Sequence, residues 1–144
     1  LILVSNTATN EGASTMTTTT TTLDMIPEIL TAFGLDTNDR PVAYQIMKLV
    51  EGVLAIERAQ HDVLRLTSQI TDECANIERQ AQQGQMLNTS WVASNTKSLC
   101  DAALTLDFTA KGVREACYAL SLLVADDASA ELRKVLIALV MPAA

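Results

Sequence analysis

Four side chains in this sequence stand out by type as candidates for chemistry: the single histidine, His61, and the cysteines Cys74, Cys100 and Cys117. Glu57 precedes His61 by four positions, so on a helix the two share a face. Di-iron bundles use Glu-x-x-His twice together with further glutamates. Here the spacing differs and no second histidine exists, so the expected role of the pair is solvated helix surface. A nucleophile-histidine triad needs Ser or Cys beside His61 in space, and nothing in the sequence singles one out. The cysteines show no Cys-x-x-Cys spacing, which disfavours zinc. Cys100 and Cys117 are seventeen positions apart, ~25 Å along one helix, too far to share a ligand. Cys74 and Cys100 are a candidate thiol pair across a hairpin. The plainer expectation is small core residues. Asp126-Asp127 reads as helix capping. There is no P-loop or dinucleotide fingerprint. The expectation is therefore no catalytic residue, no cofactor, no metal and no enzyme.

The elements that carry these residues read as helices. Asp24 caps a short helix over about residues 25–33, with Pro27 in its first turn, Ile26, Ile29, Leu30 and Phe33 on one face, and Gly34 at the left-handed stop. Asn38 or Asp39 caps the next helix, with Pro41 just inside it. From Pro41 to about Gln83 there is no proline and only Gly52 among glycines. Val42, Ile46, Leu49, Val53, Ile56, Gln60, Val63, Thr67, Ile70, Cys74, Ile77 and Ala81 recur in steps of three and four, a heptad seam with polar positions at Gln60 and Thr67. Such a helix spans ~65 Å. Gln82-Gln83-Gly84-Gln85 interrupts it, and Asn88, Thr89 or Ser90 caps a third helix running to about Ala125. Its seam is Val92, Asn95, Leu99, Ala102, Leu106, Thr109, Val113, Ala116, Leu120 and Leu123. Ala103, Ala110, Cys117 and Val124 flank it. A last helix, over about 129–141, presents Leu132, Val135, Leu136, Leu139 and Val140 and stops at Pro142.

A short connection between two long helices favours antiparallel neighbours. The predicted fold is all-α: a long antiparallel hairpin with two shorter flanking helices, four-helix and bundle-like, over residues 24–144, preceded by a flexible Thr-rich arm over residues 1–23. A turn centred near residue 87 pairs positions whose numbers sum to ~174. Cys74 then lies level with Cys100, Thr67 near Thr109, and Gln60 level with Arg114, which makes Gln60, Thr67 and Thr109 polar layers that fix register. The end helices can cover only the base of the hairpin. The tip half, about 66–105, holds two helices and buries little by itself.

Composition narrows the partners. The core is aliphatic, because hydrophobic residues make up 49% of the chain and aromatic ones only 3%. Of the net charge of −7, residues 1–39 carry Glu11, Asp24, Glu28, Asp36 and Asp39 and no base. From Arg40 the charges nearly balance. Without a basic stripe, nucleic-acid binding is not expected, nor is a polybasic membrane anchor. No apolar run approaches the ~20 residues of a membrane span. Residues 5–22 are low in complexity and cannot offset their ordering entropy. Leu1–Val4 could add a strand to a partner, and Met16 before six threonines is a candidate natural start. No secretory or transit signal is visible. The cytoplasm suits the chain, with signal-less secretion as the alternative.

These readings favour a non-enzymatic helical interaction or oligomerisation protein: a scaffold, assembly subunit or adaptor. It would be a homo-oligomer or bind a helical partner through Ile70, Ile77, Leu99 and Leu106 on the seam and Trp91 beside the turn. Small secreted hairpins that carry Trp-x-Gly at their turn are not matched, since Trp91-Val92-Ala93 lacks the glycine. The alternatives are a subunit of a secreted or surface filament and a bundle that holds a small apolar ligand beside Ala102, Ala103, Ala110 and Ala116.

Overall fold

The structure, a computed structural model, describes residues 22–141. The expectations for Leu1–Val4, Met16, the bulk of the Thr-rich arm and Pro142 lie outside the described residues. Four helices and no strand occur among those described: α1 over residues 22–32, α2 (Arg40–Gln82), α3 (Ser90–Ser121) and α4 (Asp126–Val140). The chain is all-helical, and the long α2 and α3 pack against each other as a hairpin.

Glycines end α1 and α2 in the same way. Gly34 and Gly84 take φ of +84° and +68°. Gly34 N–H donates to the Thr31 carbonyl and Leu35 N–H to that of Leu30. Likewise, Gly84 N–H donates to the Ala81 carbonyl and Gln85 N–H to that of Gln80. Each pair of bonds satisfies carbonyls that the last turn leaves open, in a conformation that only a residue without Cβ adopts freely. At the start of α2 the Asp39 carbonyl accepts the first helical bond, from Ala43. Asn88 Oδ1 accepts from both the backbone and the hydroxyl of Ser90 at the start of α3.

Two boundaries differ from expectation. The third helix stops at Ser121 rather than Ala125, and α4 begins at Asp126 rather than near Ser129. Asp126 and Asp127 lie inside the first turn of α4, where their charge complements the helix dipole. They make no side-chain cap bond, and Ala125 holds the N-cap position.

Packing groups the chain into two compact units. Of the described residues, one comprises those up to Val50 together with those from Arg114 onward, and the other is Glu51–Val113. The first is well filled. Ile26, Leu30, Val42, Leu49, Ala116, Cys117, Leu120, Leu132, Leu136 and Val140 are buried, and the buried Ser121 hydroxyl donates to the Tyr118 carbonyl. Among the described residues no buried side-chain polar atom lacks a partner.

The second unit is thin. Only Val53, Ala59, Leu66 and Val113 are buried in it, and from Thr67 to Gly112 no side chain is. Its two helices approach closely at Gly52. A Cβ placed on Gly52 would stand 2.5 Å from Val113 Cγ2, so the glycine is what lets the backbone of α2 meet that side chain. This contact fixes the register. With Gly52 level with Val113, facing positions have numbers summing to about 165 rather than ~174. The upper end of α2 therefore passes the start of α3, and Gln85–Thr89, which forms no regular element, connects the two helices.

Candidate functional site

Surface chemistry in the hairpin unit follows from which side chains the α2–α3 seam takes in. On α2 the seam passes through Ile56, Ala59, Val63, Leu66, Ile70, Glu73, Ile77 and Gln80, all buried or half-buried. It shares Ile56, Val63, Ile70 and Ile77 with the expected stripe, but steps three before four between them. The expected polar layers at Gln60 and Thr67 are thereby corrected: both are exposed. The phase that turns Ala59 and Leu66 inward hides more apolar surface than one that turns in Gln60 and Thr67. Thr67 instead donates its hydroxyl to the Val63 carbonyl of its own helix, at 2.7 Å. Thr109 lies half-buried on α3 in the seam, alongside Leu99 and Leu106.

The thiol pair is corrected as well. Cys74 and Cys100 are free and exposed. The register places Cys74 opposite position 91, so the two cysteines are offset by nine residues, ~13 Å along the hairpin, beyond the reach of a disulfide. Cys117 is buried and free. Loss of hydration pushes its thiol from 9.0 up to about 11, against a smaller opposing effect of a backbone hydrogen bond. It is a core side chain of the first unit. His61 is exposed and Glu57 half-buried. Among the described residues no three His, Cys, Asp or Glu side chains are placed to hold a metal ion, and no helix is long and apolar enough to cross a membrane.

What remains is apolar surface. Trp91 is 65% exposed in the first turn of α3, held there by the Asn88–Ser90 cap. Ile70, Ile77, Leu99 and Leu106 are half-buried between the two helices. Sequence reasoning missed the larger feature: Leu104 is 68% and Phe108 79% exposed. They are four residues apart on the side of α3 turned away from the seam, so their side chains adjoin. Isolated exposed leucines are ordinary, but an adjoining Leu–Phe pair on an outer helix face is a local apolar patch. The signal was available. Lys97, Asp101, Leu104, Phe108, Lys111 and Glu115 recur in steps of four and three, a second heptad stripe on α3 in which every member is exposed. No protein-family model, curated protein or solved structure matches the chain, so its surface is the guide to its function.

Proposed function

We propose that the chain is a non-enzymatic helical interaction protein that associates through its hairpin unit, as an oligomerising scaffold, assembly subunit or adaptor. One observation carries this reading: no side chain from Thr67 to Gly112 is buried, while Trp91, Leu104 and Phe108 stand exposed on the same stretch. Two helices without a filled seam are poorly stabilised in water, because helix stability comes mainly from burying an apolar face. A partner helix laid on the hairpin covers that surface and supplies the missing burial, roughly 25 cal/mol for each Å² of apolar area removed from water. The balanced charge from Arg40 onward and the absence of a basic stripe favour a protein partner over a nucleic acid.

Size-exclusion chromatography with light scattering over a wide range of protein concentration tests this. The expected result is a mass above that of one 15.5 kDa chain, or a monomer that gains mass with a helical partner. A strict monomer that binds no protein contradicts the reading.

A further inference from the structure

The exposed stripe on α3 is self-complementary. Reversed against itself, Lys97-Asp101-Leu104-Phe108-Lys111-Glu115 sets Lys97 opposite Glu115, Asp101 opposite Lys111 and Leu104 opposite Phe108. Every acid meets a base and the two apolar residues meet each other. We propose that this face of α3 packs antiparallel on the same face of a second copy of the chain, across a two-fold axis midway between Leu104 and Phe108. The inference rests on the interaction reading above and names both its partner and its surface.

Three observations point to a second copy. The spacing is that of helices that pack side by side, with alternating steps of four and three. A two-fold contact requires that if position i meets position j, then j also meets i, and the charge order satisfies this at both ionic pairs. Parallel stacking in register would instead set lysine on lysine and aspartate on aspartate, which is repulsive. Finally, the charges are available: the one ion pair among the described residues is Arg65–Asp62, so neither lysine nor either acid of the stripe is engaged within the chain. The contact closes on itself and needs no further surface. Its area is small beside the ~1,200–2,000 Å² of tight complexes, so the association is weak and concentration-dependent.

Sedimentation equilibrium of the full chain tests this with surface variants that leave the seam alone, helical content being checked by circular dichroism. Asp101→Lys and Lys111→Asp should each weaken the dimer about tenfold, because each replaces two exposed attractions per dimer by two repulsions. The double variant should recover wild-type association, and so should an equimolar mixture of the two single variants, in which every ionic pair is restored. Phe108→Ser should leave a folded monomer. If the wild type associates but the charge variants and Phe108→Ser associate equally well, the stripe is not the interface, although the interaction reading survives. If the single variants weaken the dimer but neither the double variant nor the mixture recovers it, the antiparallel pairing is overturned. Growth into open-ended polymers overturns the two-fold. A wild type that stays monomeric at millimolar concentration overturns the self-pairing, and if it also binds no helical partner the interaction reading falls with it.

Discussion

Gly52 and Gly112 both lie inside long helices, yet alanine should act on them with opposite signs. In a helix interior, Gly→Ala contributes roughly 0.5–1 kcal/mol by removing backbone freedom from the unfolded chain. At Gly112 nothing lies within 4 Å of an added Cβ, so the whole gain should appear. At Gly52 the new methyl would lie 2.5 Å from Val113 Cγ2, more than ~1 Å inside the separation at which carbon atoms attract. Val113 is 1% exposed and branched at Cβ, so it has no free rotamer to move into, and the helices themselves must part. Overpacking of this kind costs ~1–3 kcal/mol, which outweighs the propensity gain. The expected net is a loss of ~1–2 kcal/mol for Gly52→Ala and a gain of ~0.5–1 kcal/mol for Gly112→Ala. Urea titration followed by circular dichroism should show the midpoints moving in opposite directions. A double-mutant cycle with Val113→Ala isolates the cause, because the smaller side chain leaves room for the new methyl, and the double variant should be more stable than the sum of the single effects. If Gly52→Ala stabilises as much as Gly112→Ala, the close approach and the register built on it are wrong.

The thiols should sort by burial: in the native protein Ellman's reagent should titrate Cys74 and Cys100 promptly and Cys117 only on unfolding, whereas three fast thiols would contradict the packing. Because burial raises the Cys117 pKa from 9.0 to about 11, the folded state holds that proton more tightly than the unfolded chain. The resulting stability is full below pH 9 and is lost as pH rises toward 11. Compared with a Cys117→Val variant, the wild type should therefore lose more stability over that window, and parallel pH profiles would refute the assignment. Truncating Leu136, fully buried, to alanine should cost ~2–5 kcal/mol, whereas Ile77→Ala in the half-buried hairpin should cost about 1 kcal/mol or less. Equal losses in urea titrations would mean that the hairpin has a core of its own.

Much of the architecture was legible because aliphatic periodicity and punctuation agree. Gly34 and Gly84 mark helix ends by a conformation other residues avoid, and the predicted faces of α1, α4 and the lower part of α3 contain the buried apolar residues, although Leu123 is exposed and Ser121 is buried outside them. The phase of the α2 seam was harder. Ile56, Val63, Ile70 and Ile77 fit either step order, and only the choice between Ala59 with Leu66 and Gln60 with Thr67 separates them. Leu66 was the available clue. The predicted register fails because a symmetric turn near residue 87 does not bring Gly52 level with Val113. The clue there was Gly52, an unforced glycine in a long helix, which signals close approach. The end of α3 at Ser121 has no glycine or proline to announce it. The outer stripe was overlooked because its charged members look like ordinary solvated surface until their order is read in both directions.

The central claim is that the hairpin beyond Leu66 lacks a core of its own and is completed by association. Amide hydrogen exchange across residues 67–112, measured at low and high protein concentration, addresses it most directly. Exchange there should be fast in the dilute chain, with protection well below that around Leu120 and Leu136, and should slow markedly as the protein is concentrated. Protection equal to that of the filled unit in the dilute monomer, unchanged on concentration, would contradict it.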